Sequence, residues 1–333
     1  MKFRFVALCL AIALTSSAFT GCSVGNTEIV IDMNSVGRNH VFSIYGDKCS
    51  KEEARLYLCN YQNIYGYAFG MNLWDYDYSQ MEAGSTLEDY VKDVTLTELV
   101  NIMCMEQLAK QQEITLTEED LAKVAKVAEE YYESLSKEER SYIGIDKTRL
   151  KKYYEKYALA QKLYRTLTQG INEEVSDDEA RVIRIQQIFV KSEDVALQVQ
   201  QKLDSNEKFE SLASTYNEAG VIEKNLARGE YDKVVDDVVF RLDNNEVSGM
   251  ITTEEGYYFI KCINKFDEEL TEENKKNIVI KRRKEQFDDK YMEFMEASLF
   301  ELNEKAWENI KVDTSAKIKT KSFFDTYDKY FTE

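Results

Sequence analysis

The chain contains no proline among its 333 residues, and it has only 13 glycines. Proline ends helices because it lacks a backbone N–H and clashes with the preceding turn, and glycine lowers helix stability through its backbone freedom. A long chain with so little of either residue has few helix breakers and few tight turns. The sequence therefore favours a mainly helical protein.

The charge and the single histidine exclude several classes of protein. The formal net charge is −18, so the surface repels nucleic acid, and no nucleic-acid partner is expected. His40 is the only histidine, which argues against catalytic triads, Cys–His dyads and His-ligated zinc sites. We expect His40 to be an ordinary surface residue, and we expect no metal and no cofactor.

The N-terminus has the layout of an export signal. Lys2 and Arg4 precede an apolar run at residues 5–14, which is too short for a membrane span of roughly 20 residues. The sequence Phe19-Thr20-Gly21-Cys22 follows and resembles a bacterial lipobox. We therefore expect a signal peptide at 1–21, lipid on Cys22, a polar tether at 22–39 and a cell-membrane anchor on the extracytoplasmic face.

The remaining cysteines are Cys49, Cys59, Cys104 and Cys262. A helix that begins near Ser50 would separate Cys49 from Cys59 by about 15 Å, at 1.5 Å per residue. A disulfide needs Cα atoms within about 7 Å. We expect free, mostly buried thiols, whose role the sequence does not define.

Residues 40–180 are predicted to form a helical module. A short strand at 41–45 precedes the capping box Ser50-Lys51-Glu52-Glu53, which predicts a helix start. Further helices are expected at 94–112, from Thr117, from Ser136 and at 146–169. Tyr57, Tyr61 and Tyr65 recur at helical spacing, and this stripe is expected to be core.

Residues 181–266 are predicted to form a smaller α+β lobe. Strands are expected at 182–190 and 256–263, with helices at 193–203 and 209–216 between them. The segment 267–333 is expected to return to the N-terminal module through one helix at about 271–307, because that helix carries too many large apolar residues to stay free. The last twenty residues are expected to be frayed. The predicted fold class is α+β, a mainly helical module with an inserted lobe.

This organisation resembles the parvulin-type peptidyl-prolyl isomerases, in particular the PrsA-like foldase lipoproteins and the SurA-like chaperones. Residues 44–53 are similar to the start of their N-terminal module, and residues 185–261 follow the parvulin pattern. The motifs that carry the resemblance are Phe209-Glu210-Ser211-Leu212-Ala213, Arg228-Gly229-Glu230-Tyr231 and Gly256-Tyr257-Tyr258.

The resemblance also implies a site. Parvulins centre on two histidines and an Asp or Cys, and the matching positions here are Gln187, Ile222 and Tyr258, so the catalytic centre is degenerate. The positions implied for substrate binding are Tyr231, Val235 and Phe240. We expect Gln187 and Tyr258 to face each other on the sheet, where they could share a hydrogen bond, and Ile222 to offer only apolar contact.

Three functions follow from these expectations. The first is a membrane-anchored folding factor that holds unfolded or extended exported polypeptides, with weak or no isomerase activity. The second is an active prolyl isomerase, since rotation about X–Pro needs no nucleophile or metal, only a lowering of a barrier of ~18–20 kcal/mol. The third is a non-catalytic surface lipoprotein with a single envelope partner. A homodimer is left open.

Overall fold

The computed structural model describes residues 29–30, 36–69, 86–296, 300–313 and 317–331. The chain divides into two compact units, Met1–Gln169 with Gln286–Glu333, and Gly170–Glu285. The predicted signal peptide, Cys22 and most of the predicted tether lie outside the described residues. Within the described residues, no helix combines the length and the apolar character that crossing a membrane requires.

The strands of the described residues, in chain order, are β1 (Ile29–Val30), β2 (His40–Ile44), β3 (Asp47–Ser50), β4 (Val182–Val190), β5 (Glu223–Ala227), β6 (Ile251–Thr252), β7 (Tyr257–Asn264) and β8 (Phe300–Leu302). The helices are α1 (Lys51–Phe69), α2 (Leu87–Gln111), α3 (Glu118–Ser134), α4 (Lys137–Ile143), α5 (Lys147–Leu167), α6 (Asp177–Ala180), α7 (Glu193–Asp204), α8 (Phe209–Tyr216), α9 (Lys233–Val239), α10 (Glu268–Glu296), α11 (Glu304–Glu308) and α12 (Phe323–Phe331).

Side-chain caps begin the helices of the first unit where the sequence predicts them. The Ser50 hydroxyl accepts a hydrogen bond from the Glu53 amide at 3.1 Å, at the start of α1. Reciprocal capping boxes headed by Thr117 and Ser136 open α3 and α4. A further box, headed by Thr86, opens α2 seven residues before the predicted start, because the amphipathic pattern becomes clear only from Val94.

The core of the first unit is built around the C-terminal helix α12, so the expectation of a frayed C-terminus is wrong for this segment. Phe323 is fully buried, and its ring stacks on that of Tyr154 with centroids 4.2 Å apart. The same ring lies 5.1 Å from Tyr57 of α1 and 5.6 Å from Tyr131 of α3. Tyr57 and Tyr61 are buried, which confirms the predicted core role of these two members of the tyrosine stripe.

Buried polar side chains hold the segment that leads into α12. Asn60 Oδ1 accepts a hydrogen bond from the Phe323 amide at 3.1 Å. Glu139 Oε1 accepts from the amides of Lys319 and Thr320, both at 2.8 Å. These side chains replace the water that the backbone would otherwise bind, so the segment can be buried without loss of hydrogen bonds.

A four-stranded sheet of order β1-β8-β2-β3 completes the first unit. Strand β8 pairs parallel to β1 and antiparallel to β2, with Phe42 opposite Leu302 and Ile44 opposite Phe300. The predicted single helix at 271–307 is therefore wrong beyond Glu296. The alternation of apolar and polar residues in Phe300-Glu301-Leu302 is a strand pattern, too short to stand out beside the helical pattern that precedes it.

The last turns of α10 pack within the first unit. The ring centroid of Phe287 lies 5.1 Å from that of Tyr164 on α5. The Tyr291 hydroxyl donates a hydrogen bond to Asn101 Oδ1 on α2 at 2.8 Å, and both Phe287 and Tyr291 are buried.

The second unit is an antiparallel sheet of order β5-β4-β7-β6 with helices on both faces. One face carries a core around Ile185, Val235 and Ile260, and the other carries a core around Ile188 and Phe259. The α+β class is as predicted. Strands β5 and β6 are additions to the two predicted strands, and both are short.

The four cysteines outside the N-terminal segment are free and buried, as the sequence predicts. Burial raises the pKa of the Cys262 thiol, which sits in the core of the second unit. A thiol in such an environment stays protonated and is a poor nucleophile.

Candidate functional site

The two central strands of the lobe place the predicted site residues on one face of the sheet. Gln187 lies opposite Ile260, and Phe189 lies opposite Tyr258. The Phe189 and Tyr258 ring centroids are 4.7 Å apart. Because side chains alternate along strands, Gln187, Phe189 and Tyr258 project from the same face, and they form one cluster.

The Gln187 side-chain amide is hydrogen-bonded at both ends. Its Nε2 donates to the carbonyl oxygen of Val221 at 2.8 Å, and its Oε1 accepts a short hydrogen bond from the Tyr231 hydroxyl. Its backbone N–H donates to the Ile222 carbonyl oxygen at 2.8 Å. The side chain is only 3% exposed. A buried amide with both ends bonded is a fixed structural group, and it has little capacity left for a ligand.

Tyr231, and not Tyr258, is therefore the tyrosine that bonds to Gln187, which corrects the expectation for this pair. The sheet register explains the difference, since Tyr258 lies two residues along β7 from the position opposite Gln187. The Tyr258 ring packs against Tyr231 instead, with centroids 5.4 Å apart. Its hydroxyl forms no hydrogen bond with the residues that the structure describes.

The structure does not bring Ile222 into this cluster. Its side chain packs against the core around Ile188 and Phe259, on the opposite face of the sheet from Gln187. Only its backbone carbonyl reaches the Gln187 strand. The resemblance points to the segment that contains Ile222, but it cannot predict side-chain direction where the chain leaves a strand.

Asn217 fixes the segment that closes over Gln187. Its Oδ1 accepts from the Phe189 amide at 3.0 Å, and its Nδ2 donates to the Ala219 carbonyl at 2.9 Å. The same Nδ2 lies 3.2 Å from the Val221 carbonyl oxygen, which also accepts from Gln187. The loop is thus tied to β4 by side-chain amides rather than by a regular strand.

A charged pair positions Tyr231. Glu230 Oε2 lies 2.9 Å from Lys224 Nζ, and Glu230 Oε1 accepts from the Ala227 amide at 2.8 Å. The Lys224 ammonium lies 4.8 Å from the Tyr231 ring centroid. Burial, followed by the nearby Glu230 carboxylate, raises the pKa of Tyr231, while its hydrogen bond to Gln187 acts the other way. The Tyr231 hydroxyl is therefore a neutral donor.

The other two predicted substrate-binding residues lie in the core rather than on an open surface. Val235 is 1% exposed and Phe240 is 5% exposed. The Arg228 guanidinium carbon lies 4.4 Å from the Phe240 ring centroid, so the guanidinium covers one face of that ring. Of the predicted set, Tyr231 alone is half-buried and accessible.

The cluster itself contains two tyrosines and an amide, and its titratable hydroxyls stay protonated. Burial raises the pKa of Tyr258 first, and the neighbouring Tyr231, Glu255 and Asp232 add to that effect, so its hydroxyl stays protonated. His40 lies on β2 of the other unit. No group of three or more potential metal ligands was found among the described residues. The cluster can donate hydrogen bonds and offer aromatic surface.

Asn217, Lys224 and Glu230 shape this site, and sequence reasoning missed all three. An asparagine directly after a helix, as in Tyr216-Asn217, is a common signal for a side chain that bonds to nearby backbone. The Lys224–Glu230 pair spans six residues across a strand and a turn, so no local spacing rule predicts it.

Comparison with known proteins supports the family resemblance that the sequence predicts. Residues 145–274 match the family model of the PPIC-type PPIase domain. These residues include the whole α+β lobe, and the predicted resemblance to the peptidyl-prolyl isomerase family is confirmed.

Particular relatives extend the similarity along the chain. The foldase protein PrsA of Clostridium acetobutylicum is 26% identical over 293 residues, which cover 77% of this chain and 84% of that protein. The foldase protein PrsA of Caldanaerobacter subterraneus subsp. tengcongensis is 25% identical over 348 residues, covering 93% and 98%. Among solved structures, PrsA from Bacillus cereus aligns with a TM-score of 0.40 at 18% identity, covering 87% of this chain and 99% of that one.

Proposed function

We propose that this chain is a lipid-anchored folding factor on the extracytoplasmic face of the membrane. In this proposal it holds unfolded exported polypeptides, and its parvulin-type lobe has weak or no prolyl isomerase activity. The similarity to proteins named foldases supports the general class. The lipobox-like sequence ending at Cys22 supports the anchor.

One observation supports the proposal that the lobe has weak or no prolyl isomerase activity. The Gln187 amide, at a position that corresponds to a polar member of the parvulin centre, is occupied at both ends by Val221 and Tyr231. Catalysis of prolyl rotation depends on polar groups that are placed to stabilise the twisted amide. A centre whose amide is already bonded within the lobe offers the Tyr258 hydroxyl and aromatic surface, but no strong polar contact for a twisted bond.

A proline-peptide assay tests this part. The cis-to-trans rate of a short Ala-Xaa-Pro-Phe peptide is followed with the purified full-length mature chain. The expected acceleration is small or undetectable. A strong acceleration that is lost in Tyr258→Phe would overturn the proposal and establish the chain as an active isomerase.

An aggregation assay tests the holding activity. Two unrelated, chemically denatured proteins are diluted into buffer with and without the mature chain, and light scattering is recorded. Suppression of aggregation of both proteins is expected. Failure with both would favour the alternative of a surface lipoprotein with one dedicated partner.

The anchor has its own test. Because the thiol would carry the lipid, Cys22→Ala should release the protein from the membrane fraction or block processing of its precursor. A variant that stays membrane-bound and is processed at the same position would rule out lipidation at Cys22.

A further inference from the structure

Three lysines form a row on the segment of the first unit that leads into α12. Lys317, Lys319 and Lys321 are exposed, and the two residues between them are buried. This alternation is typical of an extended backbone with one side against the core, so the three lysines project from the same side. No carboxylate lies between Asp313 and Asp325, in a chain with 61 acidic residues. The lysine row is therefore a positive surface on an acidic protein.

Buried side chains fix the direction of the lysine row. Glu139 Oε1 accepts hydrogen bonds from the amides of Lys319 and Thr320, both at 2.8 Å. Asn63 Nδ2 donates to the Thr320 carbonyl oxygen at 2.8 Å, and the Tyr131 hydroxyl lies 2.7 Å from Thr320 Oγ1. Because several buried groups hold this backbone, the lysines are presented outward from a fixed support.

An exposed tyrosine stands beside the lysine row. Tyr67, near the end of α1, is 79% exposed, and the Lys321 ammonium lies 3.5 Å from its ring centroid. Tyrosine and lysine both combine an apolar part with a polar end, and both suit the interface between a membrane and water. The exposed ring is an observation independent of the lysine charges, and it points to a lipid surface.

The proposed lipid anchor keeps this unit close to the bilayer. Strand β1 begins at Ile29, seven residues after Cys22, and it pairs with β8 of the same unit. Seven residues span at most about 25 Å even when fully extended. With lipid on Cys22, β1 and the sheet that holds it therefore stay within about that distance of the membrane surface.

The net negative charge of the protein does not prevent a contact with anionic lipid. The Debye length is about 10 Å at 0.1 M salt, so carboxylates on distant faces of the unit are largely screened. The charges that face the membrane decide the interaction, and each lysine close to an anionic leaflet contributes roughly fivefold in affinity.

We propose that Lys317, Lys319 and Lys321, together with Tyr67, form a docking surface for the headgroups of anionic phospholipids. The inference rests on the proposed function and adds a second contact with the membrane that holds the anchor. A weak second contact is effective in an anchored chain because its binding is intramolecular. Its effect is to orient the first unit on the membrane.

Vesicle sedimentation tests the docking surface in the absence of the anchor. The purified full-length mature chain carries Cys22→Ser, and the vesicles contain phosphatidylcholine alone or mixed with phosphatidylglycerol. Binding is expected only to the vesicles with phosphatidylglycerol, and added salt should weaken it. Soluble glycerol phosphate at the same headgroup concentration should not displace the chain. Complete displacement would identify a site for free phosphate groups and would overturn the lipid surface.

Charge-matched variants locate the effect. The triple variant of the row should bind phosphatidylglycerol vesicles about tenfold or more weakly than the parent chain; it is Lys317→Gln, Lys319→Gln, Lys321→Gln. The control triple removes the same charge from exposed positions on α3, α5 and α10 of the same unit and should bind like the parent; it is Lys126→Gln, Lys152→Gln, Lys290→Gln.

A single variant tests the row without altering its segment. Tyr67→Ser should weaken vesicle binding by a smaller factor than the row triple. No binding of the parent chain to phosphatidylglycerol vesicles, or equal loss in the two triples, would overturn the docking surface. The anchor is read separately, because a Cys22→Ala chain that stays membrane-bound and is processed at the same position counts against the proposed function and not against the vesicle result.

Discussion

The Tyr231 hydroxyl donates a hydrogen bond to Oε1 of Gln187, and this contact joins the turn after β5 to the central strand of the lobe. Gln187 is 3% exposed, so the bond replaces water that cannot reach its carbonyl oxygen. The cluster is thus polar and ordered, but Gln187 and Tyr231 bond to one another.

Tyr231→Phe should destabilise the lobe by about 1–3 kcal/mol, because it leaves a buried amide oxygen without a donor. Amide hydrogen exchange of β4 in the full-length mature chain measures the effect. The matched control is Tyr257→Phe, since Tyr257 lies on the opposite face of the sheet and its hydroxyl has no hydrogen bond with the described residues. Equal loss of protection in both variants would show that the contact between Tyr231 and Gln187 does not stabilise the lobe.

Phe323→Ala should destabilise the first unit by about 3–5 kcal/mol, the range for removing a fully buried aromatic ring. The ring is central to the packing of α12, with Tyr154 stacked on it at 4.2 Å. Denaturant unfolding followed by tryptophan fluorescence, to which buried Trp307 contributes, reports on this unit. Phe324→Ala is the control, because Phe324 is only partly buried and should cost clearly less.

Much of the fold could be predicted because its signals are local. The cap residues Ser50, Thr117 and Ser136 predict helix starts, because each belongs to a pattern only four residues long. The strand predicted at 182–190 matches β4 at both ends. The central place of Phe323 could not be predicted in this way, because it depends on Tyr154 and Asn60, which lie far away along the chain.

The candidate site shows the same division between local and distant signals. The resemblance identifies Gln187, Tyr231 and Tyr258, and the structure places all three in one cluster. It does not identify which tyrosine bonds to Gln187, because that depends on the register of β4 against β7. It also misplaces the side chain of Ile222, whose direction is set by a loop that Asn217 holds.

Gly256→Ala should destabilise the lobe by about 1–3 kcal/mol. A Cβ atom at this position would lie 2.6 Å from the Val190 carbonyl oxygen and 2.8 Å from Cε2 of Phe189. The φ angle of +152° is also one that residues with a side chain rarely adopt. Hydrogen exchange of β4 and β7 measures the change. Gly249→Ala is the control, because nothing lies within 4 Å of its added Cβ, and similar effects in the two variants would refute the steric explanation.

The stability of the first unit should depend on pH through Glu98. This residue of α2 is 8% exposed, and burial raises the pKa of its carboxyl to about 7 from a usual value of 4.5. Burial raises the pKa of four tyrosines on three other helices, and the charge of Glu98 adds to that effect; they are Tyr57, Tyr61, Tyr157 and Tyr291. The folded state therefore favours the protonated carboxyl, because burial disfavours the charged form.

The sign of the effect follows from proton binding. Between pH 4.5 and pH 7 the folded state keeps a proton that the unfolded state loses, so the contribution of Glu98 is full below pH 4.5 and falls as the pH rises to about 7. The loss should be about 3 kcal/mol, at 1.4 kcal/mol per pKa unit. Glu98→Gln should be more stable than the wild type at pH 8, and the difference should shrink or vanish near pH 4.5.

Urea unfolding at a series of pH values, followed by tryptophan fluorescence, measures this difference. The control is Glu113→Gln, which removes an exposed carboxylate just after α2 and should track the wild type at every pH. If Glu98→Gln and the wild type lose stability in parallel from pH 5 to pH 8, then the pH dependence arises from other carboxyls. Glu98 must in that case be ionised in the folded state, with its charge offset by groups or water near its position on α2.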